Sequence, residues 1–112
     1  MQGVYLKLYV PEAARHHGVL LYEWILEQAH NSGIPGGSAF RAIAGYGRHG
    51  NMHEQHFFEL AGDLPVQLEF VTTREAAQRL LVLLGEEKLS VLYLLLPAEF
   101  GVTDSLGDNP AV

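Results

Sequence analysis

The sequence predicts a single α+β domain with the element order strand, helix, strand, strand, helix, strand. Three observations carry that prediction. Four stretches of strand length alternate apolar and polar residues or are apolar throughout. Two longer stretches carry apolar residues at helical spacing. Glycine or proline marks most of the junctions between them.

Val4, Leu6, Leu8 and Val10 alternate with Tyr5, Lys7 and Tyr9, so residues 3–10 form a strand that Pro11 ends. Glu12 to His17 reads as a polar connection. Leu21, Trp24, Ile25, Gln28 and Ala29 line one face of a helix over about 18–32, with Gly33 at its C′ position and Pro35 just beyond. Ser38–Ala44 is the second strand, with Phe40, Ala42 and Ala44 on one face and Arg41 and Ile43 on the other. Val66, Leu68 and Phe70 alternate with Gln67, Glu69 and Val71 in a third. Thr72 and Glu75 have the spacing of a capping box. Ala76, Ala77, Leu80, Leu81 and Leu84 make the second helical stripe, which stops at Gly85. Leu89–Leu96 is the fourth strand, closed by Pro97. The domain therefore spans residues 1–97, and residues 98–112 form a flexible tail.

Right-handed crossovers turn this order into a ferredoxin-like βαββαβ sandwich, with a four-stranded antiparallel sheet and two helices on one face. The first and third strands are central and the second and fourth are edges. The fourth strand is apolar at nearly every position, and helices cover only one sheet face. An edge strand of that kind needs cover, which a second copy of the chain supplies. The expected assembly is a homo-oligomer.

Composition narrows the function. The chain has 112 residues, 48% of them hydrophobic and 18% charged, which is ordinary for a globular domain. Its net charge of −6 argues against a nucleic-acid backbone as partner. There is no cysteine, hence no disulfide and no thiolate chemistry. No apolar run is long enough for membrane insertion, and the first residues do not resemble a signal peptide, so a cytoplasmic location is expected. No serine sits beside a recognisable His and Asp pair, so the expectation is a protein that is not an enzyme.

Seven of the twelve glycines lie between Gly33 and Gly62, around one long polar segment. The second strand breaks at Gly45-Tyr46-Gly47, and Arg48 to His56 follows without apolar periodicity. A connection longer than the about two to five residues of a hairpin loop usually has a job. The glycines leave backbone N–H groups uncovered, and Arg48 supplies a fork for a carboxylate or phosphate. His49, His53 and His56 have spacing that one metal ion could gather if the segment curls. His16-His17 precedes the first helix and reads as a connector.

The run Ala44-Gly45-Tyr46-Gly47-Arg48-His49, followed by His53-Glu54, resembles the start of the long loop in PII signalling proteins. Leu21-Tyr22-Glu23 and Asp63-Leu64-Pro65-Val66 are closer to a PII-like family of small uncharacterised bacterial proteins, domain of unknown function one-ninety. The resemblance covers residues 3 to 96. It implies a ferredoxin-like subunit, trimeric assembly and a regulatory role. It also implies a small anionic ligand, such as an adenine nucleotide, bound between subunits by Gly45, Tyr46, Gly47, Arg48 and Glu69, with residues 46–60 contacting a regulated protein. The chain departs from PII proteins in its short acidic connection Gly85-Glu86-Glu87-Lys88, where they carry a phosphate-holding loop. It also lacks a tyrosine between Arg48 and Pro65, so the PII modification site is missing. Two other readings remain open: a divalent-metal-binding protein similar to CutA that uses His49, His53 and His56, and a structural adaptor without ligand. The sequence names no cofactor.

Overall fold

The computed structural model describes residues 1–45 and 64–106, and every structural statement concerns these. The elements are β1 (Gln2–Pro11), β2 (Arg15–His16), β3 (Val19–Leu20), α1 (Leu21–Asn31), β4 (Gly37–Arg41), β5 (Pro65–Thr72), α2 (Arg74–Glu86) and β6 (Leu92–Glu99), followed by a 3-10 turn at Thr103–Ser105. The main sheet has the order β4-β5-β1-β6 with every pair antiparallel. β1 and β5 are central and β4 and β6 are the edges, the ferredoxin-like arrangement expected from the element order.

Side-chain alternation decides which face is dry. Val4, Leu6, Leu8 and Val10 of β1 are buried, and so are Val66, Leu68, Phe70 and Thr72 of β5. Their register matches them row by row: Val4 with Thr72, Leu6 with Phe70, Leu8 with Leu68, Val10 with Val66. α1 adds Leu21, Ile25 and Ala29 to the same cluster, and α2 adds Ala76, Ala77, Leu80 and Leu84. Burying a side chain of Leu or Phe size is worth about 1.5–3 kcal/mol, so this single layer supplies most of the driving force for folding.

Both helices end in the same hydrogen-bonded motif. At α1, Gly33 N–H donates to the His30 carbonyl (3.2 Å) and Ile34 N–H to the Ala29 carbonyl (3.1 Å). Gly33 sits at φ +89°, as its place after the stripe predicts. At α2, Lys88 N–H donates to Gly85 (3.0 Å) and Leu89 N–H to Leu84 (3.0 Å). Here the left-handed residue is Lys88, at φ +59°. The helix therefore runs through Gly85 rather than stopping there, since the exposed glycine keeps helical geometry and the cap follows three residues later.

Other boundaries move for physical reasons. The N-cap of α2 is Thr73, whose hydroxyl accepts the Ala76 N–H at 3.2 Å. Thr72 cannot cap, because strand parity turns it into the core below Phe70. β4 is shorter than Ser38–Ala44: its ladder ends where the Pro65 carbonyl accepts the Ala42 N–H (2.9 Å) and proline offers no N–H in return. β6 starts at Leu92, three residues after the predicted start, because Leu89 is committed to the α2 cap. It then continues past Pro97 to Glu99, since an edge strand pairs on one side only and tolerates a missing donor on the other.

The polar connection before α1 contains a small hairpin. β2 and β3 pair through Arg15–Leu20 and His16–Val19. The two residues between them, His17 and Gly18, have φ of +51° and +82°, the signature of a type I′ turn. This hairpin delays α1 to Leu21, whose N–H donates to the Ala14 carbonyl at 2.8 Å.

Gly37 is paired with Phe70, and a methyl group there would lie 2.5 Å from the buried ring. Gly37→Ala should therefore cost about 1–3 kcal/mol, the usual range for overpacking a filled core. Urea denaturation checks this; a midpoint unchanged from wild type would show that the ring can withdraw.

Candidate functional site

The sheet face turned away from the helices carries the chemistry. Three cross-strand rows define it. Leu96, Tyr5 and Val71 share the first, Leu94, Lys7, Glu69 and Ser38 the second, and Leu92, Tyr9, Gln67 and Phe40 the third. The side of this face formed by β6 is apolar: Leu92, Leu94 and Leu96 are 40–48% exposed. Its middle is a polar network. The Tyr5 hydroxyl donates a short hydrogen bond to Glu69, Gln67 Nε2 donates to the same carboxylate oxygen at 3.2 Å, and Lys7 Nζ lies 3.9 Å from it. The bond to Glu69 raises the Tyr5 phenol above the ordinary tyrosine range, with desolvation adding to the rise. The bond to Tyr5 in turn raises the Lys7 ammonium above its ordinary value.

At the β4 end of this face the third row opens into a groove of about 280 Å³. Tyr9, Gln67 and Phe40 line it across three strands, and Pro65, Arg41 and Gly45 complete it at the strand ends. Arg41 Nε donates to Glu12 Oε1 at 2.7 Å, which holds the guanidinium at the rim. Arginine has five N–H donors, so the ion pair with Glu12 leaves donors for a ligand anion.

Of the residues singled out from sequence, Gly45 and Glu69 lie on this side of the sheet. Gly45 lines the groove, and Glu69 joins it through Gln67, which lines the groove and bonds to Glu69. Tyr46, Gly47, Arg48, His49, His53 and His56 lie outside the described residues. Sequence reading missed Arg41, Tyr9 and Gln67 as groove residues. Strand parity was the available signal for Tyr9 and Gln67, because both alternate with the core positions. Their meeting depends on the register between strands, which alternation alone does not reveal.

A second polar cluster joins the His16-His17 connector to the end of α2. His16 Nε2 and His17 Nε2 each lie 2.8 Å from Glu87 Oε1. The two imidazole centroids are 4.1 Å apart, and His16 packs edge-on against Trp24 at 4.5 Å. The bond to His16, followed by that to His17, lowers the Glu87 carboxyl below the ordinary carboxylate range. Among the described residues no helix is long and apolar enough to cross a membrane.

Comparison with known proteins places this geometry. The DUF190 family model, described as an uncharacterized ACR, matches residues 3–97. A UPF0166 protein of Aquifex aeolicus is 32% identical over 97 residues, covering 80% of this chain and 92% of that protein. A UPF0166 protein of Methanocaldococcus jannaschii is 36% identical over 81 residues, covering 72% and 74%. Among solved structures, a nitrogen regulatory PII-like protein from Thiomonas intermedia K12, bound to ADP, AMP and bicarbonate, superposes with a TM-score of 0.64. It is 14% identical, with 91% of this chain and 96% of that one covered, so the likeness is one of fold.

The Tyr5–Glu69 contact has a titration signature. Glu69→Gln should move the Tyr5 phenol down toward the ordinary tyrosine value. Alkaline absorbance titration, taken as the difference from Tyr5→Phe, reads this directly. The raised phenol favours its neutral form in the fold, so its contribution to stability is intact at neutral pH and lost as pH climbs past the unfolded value. A difference curve that ignores Glu69→Gln would contradict the contact.

Proposed function

Because the chain belongs to the DUF190 family, we propose that it acts as a PII-like regulatory protein. It binds a small anionic ligand between the subunits of a homotrimer and contacts a regulated partner through residues 46–60. The observation that carries this reading is the groove beside Gly45: walled by aromatic and proline side chains, rimmed by Arg41, and set at the end of an uncovered sheet face. Its volume of about 280 Å³ falls below the roughly 300–1,000 Å³ typical of a pocket that encloses a ligand. A neighbouring subunit laid on the open face would complete it. Gly45, Tyr46, Gly47 and Arg48 would then approach the anion from one chain, with Glu69 behind Gln67 orienting the polar end.

The ligand class follows from these groups. A flat aromatic wall suits a base, and a guanidinium suits a phosphate or carboxylate. The fold relative from Thiomonas intermedia K12 is bound to ADP, AMP and bicarbonate, which supports adenine nucleotides and bicarbonate as the first candidates. The short connection 87–91 between α2 and β6 offers no phosphate-holding loop, so nucleoside mono- and diphosphates, cyclic mononucleotides and bicarbonate fit better than ATP. The reading is one of binding and signalling; no catalytic step is assigned.

The assembly is supported by exposed leucines. Leu92, Leu94 and Leu96 project from one face of an edge strand beside Tyr5 and Tyr9, and burying them at about 25 cal/mol per Å² favours association. Light scattering in dilute solution should give a trimer mass. Leu96→Glu should break it, because position 96 faces Tyr5 and the Glu69 carboxylate beyond it. Leu94→Glu is the milder change, since position 94 faces Lys7. A monomeric wild type would overturn the assembly.

Ligand binding is read by melting temperature against ADP, AMP, ATP, cyclic mononucleotides, bicarbonate and carboxylates. A ligand at a hundredfold excess over its Kd stabilises the fold by about 2.7 kcal/mol. Gly47→Val and Arg48→Ala should abolish the shift and leave the trimer mass unchanged. If no compound shifts the melting temperature, or the shift survives both variants, the adaptor reading replaces this one.

A further inference from the structure

We infer that His16, His17 and Glu87 form a binding site for one divalent transition-metal ion of zinc type, clipping the β2–β3 hairpin to the C-terminal end of α2. It uses none of the residues that line the groove, nor His49, His53 or His56.

Three donors converge from two remote parts of the chain. His16 and His17 come from the hairpin and Glu87 from the residue that ends α2, seventy-one and seventy positions away respectively. One ligand atom from each lies within 4.8 Å of the others. Adjacent residues on a strand project to opposite faces, so neighbouring histidines do not ordinarily share a ligand. Here the φ of +51° at His17 breaks that alternation and brings the rings to 4.1 Å. The type I′ turn normally favours Asn-Gly at these two positions, and the chain places His-Gly there.

The donor set has the chemistry for the ion. Two imidazoles and one carboxylate form a set that holds zinc with a fourth position open to water. Bonds of about 2.0–2.1 Å place tetrahedral ligands about 3.3 Å apart. The two Nε2 to Oε1 distances are 2.8 Å, so each needs to open by only about half an ångström. His17 is the group that can give, its side chain being 64% exposed, against 16% for His16 and 31% for Glu87. Trp24 packs edge-on against the His16 ring and limits its rotation. Both rings aim a nitrogen at one carboxylate oxygen, so a cation set between them would meet all three donors.

The test uses the full chain and zinc itself. Calorimetric titration of the demetallated protein should find one equivalent of Zn²⁺ per chain, with a rise in melting temperature. Cobalt substitution should give the visible d–d bands of a tetrahedral centre. His17→Asn removes a ligand while keeping a residue suited to positive φ, so the hairpin stays folded. It should weaken zinc binding by at least the roughly 10–100-fold that loss of a supporting residue costs. Glu87→Gln should weaken it similarly. The His49→Ala/His53→Ala/His56→Ala variant should retain zinc and the cobalt bands. Zinc uptake unchanged in His17→Asn, or no uptake by the wild type, would overturn the site. Zinc binding lost in the His49→Ala/His53→Ala/His56→Ala variant and kept in His17→Asn would assign the metal to those three histidines instead.

Discussion

Among the described residues, one face of the sheet is sealed by two helices and the other is left open, and the rest of the molecule depends on that asymmetry. β1 and β5 place every second side chain into a single dry layer, and the strand pleat sends the intervening residues to the opposite side. A register slip of one residue would bring Tyr5, Lys7 and Tyr9 into the core and expose Val4, Leu6 and Leu8. The cost of burying Lys7 without a partner pins the register. The same parity that builds the core therefore also assembles the polar network and the groove on the other face.

The open face is divided between two kinds of chemistry. Its β6 side is leucine-rich, while its middle holds Lys7 and Glu69 with Tyr5 and Gln67 arranged around the carboxylate. Among the described residues no buried side-chain polar atom lacks a partner. On the open face, a covering surface would meet a Glu69 carboxylate already hydrogen-bonded by Tyr5 and Gln67, which lowers the cost of desolvating it. Gln67 links the network to the groove, because it lines the groove and donates to Glu69. A ligand that engages the Gln67 amide would compete directly with the contact that orients Glu69.

Much of the fold was legible because its signals are local. Alternation marks β1 and β5, periodicity marks both helices, and Gly33 marks the end of α1. What was not legible depends on competition between neighbours. Thr72 and Thr73 are equivalent as caps until the pleat sends Thr72 inward. Gly85 looks like a helix stop until Lys88 adopts the left-handed conformation that lysine rarely takes. Pro97 looks like a strand end, yet the ladder with β1 runs through it to Glu99. Gly45 and Glu69, singled out from sequence, share one side of the sheet, whereas Arg41 and the meeting of His16, His17 and Glu87 rest on contacts between distant residues. No period in the sequence encodes those contacts.

The stretch read as a plain connector ties the molecule together. Between Pro11 and Leu20, Glu12 anchors the Arg41 guanidinium at the rim of the groove, and its N–H donates to Leu64 beside β5. Ala14 accepts the Leu21 N–H at the start of α1. His16 and His17 hold Glu87 at the end of α2. Glu87 is a carboxylate at a helix C-terminus, where the backbone dipole disfavours negative charge, so without the imidazoles it is poorly placed. One short segment thus positions a groove residue, starts one helix and hydrogen-bonds the carboxylate at the end of the other. Residues 12–17 thus hold Arg41 beside the groove and Glu87 beside the histidine pair.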